Sequence, residues 1–168
     1  MELRLETKLM QSLTPNYEFD DVTKIDEKIF FNKELIIFDI DNTLFYPETT
    51  EIKDNIKEWF LKINKKYRCI CFSNSFTIEK RSKEIIQKLN CELFLSRHKK
   101  PSKKLFNEIL EKYNVVADKI IIIGDLRITD IFFGNRCGAI TILVKPFGKE
   151  SRKIRFFRFL ENLIIKLI

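Results

Sequence analysis

The chain has 168 residues, 45% of them apolar and 12% aromatic, with 31 Lys+Arg against 24 Asp+Glu and a formal charge of +7. That composition excludes a disordered chain, and the length fits one compact domain that buries about 70% of its unfolded surface without staples. No uncharged apolar run reaches the roughly 18 residues a spanning helix needs, and MELRLETKLM lacks the hydrophobic stretch of a secretory leader, so the cytoplasm is the expected location.

Residues 1–33 read as a helical arm: a short helix, a loop around Thr14-Pro15-Asn16, then a weak second helix. After the arm the pattern changes. Leu35–Phe38, Tyr67–Phe72, Cys91–Leu95, Ile120–Ile123 and Ala139–Val144 are short continuous apolar runs. Runs of this kind fit strands covered on both faces. Helical spacing lies between them. Thr50 can cap a helix with Ile52, Ile56, Trp59, Phe60 and Ile63, and Thr77 a second with Ile78, Ile85, Ile86 and Leu89. Pro101 suits the first turn of a third, with Leu105, Phe106, Ile109, Leu110 and Tyr113, and a fourth runs from about 128 to 136 and stops near Gly138. Five alternations of strand and helix predict an α/β fold: a five-stranded parallel sheet with helices on both faces, in three layers. Cys69, Cys71, Cys91 and Cys137 have neither zinc spacing nor a C-x-x-C pair and read as buried free thiols.

The positive charge is concentrated at the end of the chain, where residues 145–168 carry +5 of the total +7. We therefore divide the chain into a domain over residues 1–150 and a basic amphipathic helix over 151–168. Arg152, Arg155, Arg158, Asn162 and Lys166 share one stripe of that helix, with Phe, Leu and Ile filling the remaining arc. Such a helix can lie at an anionic bilayer or pack on its own domain. RNA is also anionic, but the near-neutral body gives no strong nucleic-acid signal.

In an open parallel sheet, ligands bind outside the carboxyl ends of the strands. Those ends carry Asp39-Ile40-Asp41-Asn42-Thr43, then Ser73-Asn74-Ser75, then Lys99-Lys100-Pro101, then Gly124-Asp125 with Asp130 five residues on. Neighbouring carboxylates repel and call for a cation, and an all-oxygen set without His or Cys favours Mg²⁺. A hard cation beside a carboxylate nucleophile suits attack on phosphorus. Ser73 and Lys100 would hold phosphoryl oxygens, and the second aspartate can protonate a leaving alkoxide. Each piece alone is a common turn or helix start; their order, one at each strand end, is what points to catalysis.

At this point the chain resembles the haloacid-dehalogenase-like phosphatases, whose pattern is D-x-D-x-[TV] on the first strand, Ser or Thr on the second, Lys on the third and an acidic pair on the fourth. The resemblance implies a Rossmann-like sheet of order 5-4-1-2-3 and an aspartyl-phosphate on Asp39, with Asp41 as acid and then base. It implies Mg²⁺ on the carboxylates of Asp39 and Asp125 and the backbone carbonyl of Asp41, with Asp130 steadying the metal's waters. Leu13-Thr14-Pro15-Asn16, Asp125-Leu126-Arg127-Ile128-Thr129-Asp130, Gly134-Asn135-Arg136 and Thr141-Ile142-Leu143-Val144 extend the likeness. They are similar to the small subfamily IIIA phosphatases of the YqeG type, a group that also contains the mitochondrial phosphatidylglycerophosphate phosphatases. Leu126 and Ser75 depart from the residues common there and bear on substrate detail. Thr43, Asn74 and Arg127 are expected at the substrate; His98, Lys103 and Arg136 also lie near the motifs.

Only 31 residues separate Asp41 from Ser73 and 24 separate Ser75 from Lys100, which leaves no room for a cap domain. An open site suits a phosphate presented on something large. The expected substrate is a lipid phosphate, phosphatidylglycerophosphate, met by a protein peripheral at the inner face of the membrane. The alternatives are a phosphoprotein, nucleotide or sugar phosphate, or a non-catalytic module. The last would be receiver-like or RNA-binding, and receivers carry their phosphorylated aspartate on a different strand.

Overall fold

The computed structural model describes residues 10–149 and 152–167. The expected first helix is seen over residues 10–13, and the part of it within residues 1–9 lies outside the described residues. Six parallel strands form one sheet: β1 (Tyr17–Phe19), β2 (Leu35–Phe38), β3 (Cys69–Cys71), β4 (Glu92–Leu93), β5 (Ile120–Gly124) and β6 (Ile140–Val144). Their order is β1-β6-β5-β2-β3-β4. The five expected strands thus adopt the expected order, and a sixth, β1, adds to the edge beside β6 with Tyr17 opposite Ile142.

The weak second helix of the arm is corrected by this strand and by two 3₁₀ turns, Val22–Lys24 and Glu27–Phe30. The cause is a tether far away in sequence. Thr141 N–H donates to Asn16 Oδ1 at 2.8 Å, and Asn16 N–H donates to the Thr141 carbonyl at 3.1 Å. Asn135 Nδ2 donates to the carbonyls of Gln11, Ser12 and Thr14, while its Oδ1 accepts from Thr141 Oγ1. The Leu13–Asn16, Gly134–Arg136 and Thr141–Val144 segments are therefore one hydrogen-bonded knot that lays the arm along β6.

The helices are α1 (Asp54–Lys66), α2 (Ile78–Leu89), α3 (Lys103–Tyr113), α4 (Phe132–Cys137) and α5 (Arg152–Leu167). Alternate strand residues point to opposite faces. Ile36, Phe38, Ile121 and Ile123 pack with Ile56, Phe60, Ile63, Ile78 and Ile85 of α1 and α2. Leu35, Ile37, Ile120 and Ile122 pack with Leu105, Phe106, Ile109 and Phe133 of α3 and α4. Burial on both sides explains the continuous apolar runs.

The caps differ from expectation. Lys53, not Thr50, occupies the cap position of α1, and Thr77 caps α2 in position, but its hydroxyl bonds Ser75 Oγ and caps no helix N–H. Pro101 stands before α3, whose cap is Ser102, with Oγ accepting from Lys104 N–H. Cys69, Cys71, Cys91 and Cys137 are free; the first three are buried and Cys137 is half-buried.

The tail helix α5 docks against the turn Arg127–Ile131 in an unexpected orientation. Arg158, from the basic stripe, and Glu161 face the domain, and Glu161 Oε1 accepts from Ile128 N–H at 2.8 Å. Phe156, Phe159 and Leu163 face outward, 58%, 61% and 42% exposed. Polar groups on the domain, described next, draw these two residues inward, while Phe156, Phe159 and Leu163 stay outside and Arg155 of the same stripe as Arg158 is exposed. The side chains of Arg152, Asn162 and Lys166 lie outside the described residues. No helix among the described residues is long and apolar enough to cross a membrane.

Candidate active site

Strand β2 ends at Phe38 and delivers Asp39 and Asp41 to the carboxyl edge of the sheet, with Ile40 between them buried in the core. Asn42 then takes φ +66°, a left-handed turn that Asn tolerates, and its Oδ1 accepts from Gly148 N–H at 2.9 Å. Asp125 follows β5 directly. Asp130 is placed by a wider π-type turn, Arg127–Ile131, in which Leu126 accepts from both Asp130 and Ile131 N–H. That turn folds the Asp130 side chain over Gly124. A Cβ at Gly124 would lie 2.2 Å from Asp130 Cγ, so only glycine fits there.

Asp39, Asp125 and Asp130 offer oxygens that lie within 4.8 Å of one another. Lys100 Nζ donates to Asp39 Oδ1 and to Asp130 Oδ1, each at 2.5 Å. All four residues are buried. Burial pushes the Asp39 carboxyl well above its ordinary range; Lys100 opposes this, and the Asp130 and Asp125 charges add to it. Burial, then Asp130, raise Asp125 to about 7, against the pull of Arg158. Burial works against a charged Lys100, but Asp130 and Asp39 outweigh it and hold the ammonium above its ordinary value.

A second cluster surrounds Asp41. Ser73 Oγ donates to Asp41 Oδ2 at 3.1 Å, and Glu48 N–H donates to Oδ1 at 2.7 Å. Arg81, in the middle of α2, grips both carboxylate oxygens, Nη1 to Oδ1 at 2.9 Å and Nη2 to Oδ2 at 3.0 Å. Its Nη1 also donates to the Thr49 carbonyl at 2.6 Å. The Asp41 side chain thus turns away from the three-carboxylate cluster.

The substrate-side candidates separate. Thr43 is buried beside the D-x-D segment, and its Oγ1 has no hydrogen-bond partner among the described residues. Asn74 spends its amide on the Lys100 backbone: Nδ2 donates to Lys100 O at 2.9 Å and Oδ1 accepts from Lys100 N–H at 2.8 Å. It orients the lysine loop. Arg127 is not brought to the cluster; it reaches the arm, bonding the Leu13 carbonyl and Glu18. Arg136 donates to the Pro101 carbonyl and His98 faces Glu108.

Two residues at the site have no place in the motif pattern. Arg81 is one. Arg158 is the other: its Nη2 donates to Asp125 Oδ2 at 2.6 Å and its Nη1 to the Asp125 carbonyl at 2.9 Å. A guanidinium at a buried carboxylate explains why Arg158 faces the domain. Arg81 carried a signal. It lies three residues after Ile78 and four before Ile85, so it falls on the apolar stripe of α2.

The arrangement sets three buried carboxylates against one ammonium. An all-oxygen set of this kind fits a hard divalent cation. The buried charge also has a consequence for stability. Because Asp125 holds its proton more tightly folded than unfolded, its stabilising contribution is fully present below the ordinary carboxylate range and is lost as pH rises through about 7. In EDTA, the melting temperature is therefore expected to fall between pH 5 and pH 8, and Mg²⁺ to restore more of it at pH 8 than at pH 5. Asp125→Asn should flatten both dependences. Calorimetric melts that rise with pH in EDTA would contradict this.

Comparison with known proteins agrees with the geometry. A family model described as mitochondrial PGP phosphatase (PGP, phosphatidylglycerophosphate) matches residues 6–146. The "Probable phosphatase YqeG" of Bacillus subtilis (strain 168) is 31% identical over 139 residues, covering 82% of this chain and 79% of that protein. "Phosphatidylglycerophosphate phosphatase 1, chloroplastic/mitochondrial" of Arabidopsis thaliana is 25% identical over 168 residues. That match covers 93% of this chain and 48% of the relative, so the chain spans about half of the plant protein's length. A solved haloacid dehalogenase-like family hydrolase from Xanthomonas campestris shares the fold, with TM-score 0.52 at 11% identity over 79% of this chain and 94% of that one.

Proposed function

Because the chain belongs to the mitochondrial PGP phosphatase family, we propose that it hydrolyses the terminal phosphomonoester of phosphatidylglycerophosphate through an aspartyl-phosphate on Asp39. One observation carries the reading: Asp39, Asp125 and Asp130 converge at the strand ends, with Lys100 bonded to two of them. The Asp39 carboxylate attacks phosphorus, and the bond to the glycerol oxygen breaks. Asp41, protonated and turned from Arg81 toward the site, gives its proton to that leaving oxygen. It then takes a proton from the water that attacks the phosphoaspartate, releasing inorganic phosphate and restoring Asp39. Ser73 and Lys100 hold phosphoryl oxygens, and Asn74 keeps the lysine loop in register. Thr43, with its unpartnered buried hydroxyl, lies next to the D-x-D segment and contributes to the same phosphate cradle.

Asp39, Asp125 and the Asp41 backbone carbonyl would hold Mg²⁺, with Asp130 beside them. When bound, the ion supplies positive charge that offsets the carboxylates and the phosphoryl oxygens.

The substrate assignment draws on the relatives and on two features of this chain. The first is the absence of room for a cap between Asp41 and Ser73 or between Ser75 and Lys100. The second is the outward apolar face of α5, with Phe156, Phe159 and Leu163, on a basic helix. Such a face suits contact with an anionic bilayer, and a protein working from the cytoplasmic side at its surface. Deleting 151–168 would also remove Arg158 from Asp125, so substitution of the outward residues is the cleaner test.

Phosphate release should be measured from vesicles containing phosphatidylglycerophosphate and from p-nitrophenyl phosphate, each with Mg²⁺ and with EDTA. Phosphopeptide, nucleotide and sugar phosphate complete the panel. The expected result is Mg²⁺-dependent release with the lipid preferred. The triple change Phe156→Ser, Phe159→Ser and Leu163→Ser should lower the lipid rate about tenfold and spare the soluble ester. A higher kcat/KM on any of the soluble biological phosphates would overturn the lipid assignment.

A further inference from the structure

We propose that a groove beside Ser73 is a subsite for a second, non-scissile phosphate, a phosphodiester joined through a short polyol to the reacting monoester. The inference rests on the lipid-phosphate reading and specifies how such a substrate is recognised. The groove has a volume of about 270 Å³. Ser73 lines it, shared with the candidate active site; Phe72 and Phe94 add apolar surface, and Arg97 and Lys99 contribute cations. Its volume lies just below the range of drug-sized small-molecule sites, which starts at about 300 Å³. It is sized for a polyol and a phosphate and not for acyl chains.

Charge accounting singles out the two cations. Lys100 is engaged by Asp39 and Asp130, Arg81 by Asp41, Arg158 by Asp125 and Arg127 by Glu18. Arg97 and Lys99 make no ion pair or side-chain hydrogen bond among the described residues, and the groove has one acid, Glu79, against them. A simple monoester held by Ser73 and Lys100 leaves both cations without an anion. A substrate with a diester a few bonds further along supplies one, as a charge-assisted contact in a partly apolar setting. Leu95, also lining the groove, and Phe76, in the loop before α2, are 52% and 87% exposed. Together they provide apolar surface at the edge of the sheet that carries the reaction, where the hydrocarbon part of a lipid would leave the groove.

The test compares three substrates: glycerol 3-phosphate, the water-soluble deacylated form of phosphatidylglycerophosphate, and the diacyl lipid in vesicles. Each is assayed with the natural chain and with the double variant Arg97→Ala, Lys99→Ala. Binding of the deacylated diester to Asp39→Asn, with and without the double change, is measured by calorimetry as a readout free of turnover. The expected result is a KM and a Kd for the diester raised on the order of tenfold per lost cation, with glycerol 3-phosphate kinetics unchanged. Equal effects on glycerol 3-phosphate and the diester, or none on either, would overturn the subsite. Slow turnover of the vesicle lipid, with the Arg97 and Lys99 dependence intact on the soluble diester, would overturn the lipid reading and uphold the subsite.

Discussion

Replacing Asp39 by Asn is expected to lower phosphate release by about 10,000-fold while leaving the fold intact. The magnitude follows from removing the atom that forms the covalent bond, a loss that other interactions at the site cannot replace. Folding is expected to survive because Asn keeps the shape and because Lys100 still bonds Asp130. At pH 8 without metal the variant should melt no lower than the natural chain. Its change removes a buried carboxylate that is strained by burial and by the Asp130 and Asp125 charges. Phosphate release within tenfold of the natural rate would contradict the role of Asp39.

The second large effect concerns Asp41 and the arginine that holds it. Asp41→Asn is expected to cost about 100- to 10,000-fold on an alkyl phosphate, whose leaving oxygen needs a proton. On p-nitrophenyl phosphate, whose leaving group departs as a stable anion, the loss should be about tenfold. Arg81 grips both oxygens of the Asp41 carboxylate in its position away from the cluster, so Arg81 variants should change the alkyl-phosphate rate more than the p-nitrophenyl phosphate rate. Breaking this largely buried pair with Arg81→Met leaves Asp41 without its cation and should also destabilise the protein by about 3–5 kcal/mol. Arg81→Lys keeps the charge and loses the two-pronged grip, which separates orientation from folding. Equal losses on the two ester types would show that Arg81 acts only through stability.

The parts of the site legible in the sequence are those that local order fixes. Asp39, Ser73, Lys100 and Asp125 each follow a strand whose continuous apolar run is visible, and the parallel topology brings those ends together. Asp130 is legible through its spacing from Asp125, although its inward turn over Gly124 depends on the wider π-type turn. What escaped depends on contacts distant in sequence. Strand β1 has three residues and gains its identity from Thr141 and Asn135, more than a hundred positions away. Arg158 and Glu161 sit in a helix whose composition leaves open whether it packs on the domain or lies at a bilayer. The buried Asp125 carboxylate and the Ile128 N–H, both distant in sequence, draw these two residues onto the domain. Arg127 shows the converse. Its closeness in sequence to Asp125 suggested a substrate contact, while in space Glu18 and the Leu13 carbonyl hold it on the arm.

The most direct measurement is to trap the covalent intermediate. The protein is mixed with Mg²⁺ and phosphatidylglycerophosphate vesicles, quenched in acid, reduced with borohydride and digested for mass spectrometry. The account predicts a hydride-reduced side chain at position 39, absent when the lipid is omitted and absent in Asp39→Asn. Phosphate release with no modification at position 39, or with the modification on a different carboxylate, would contradict it.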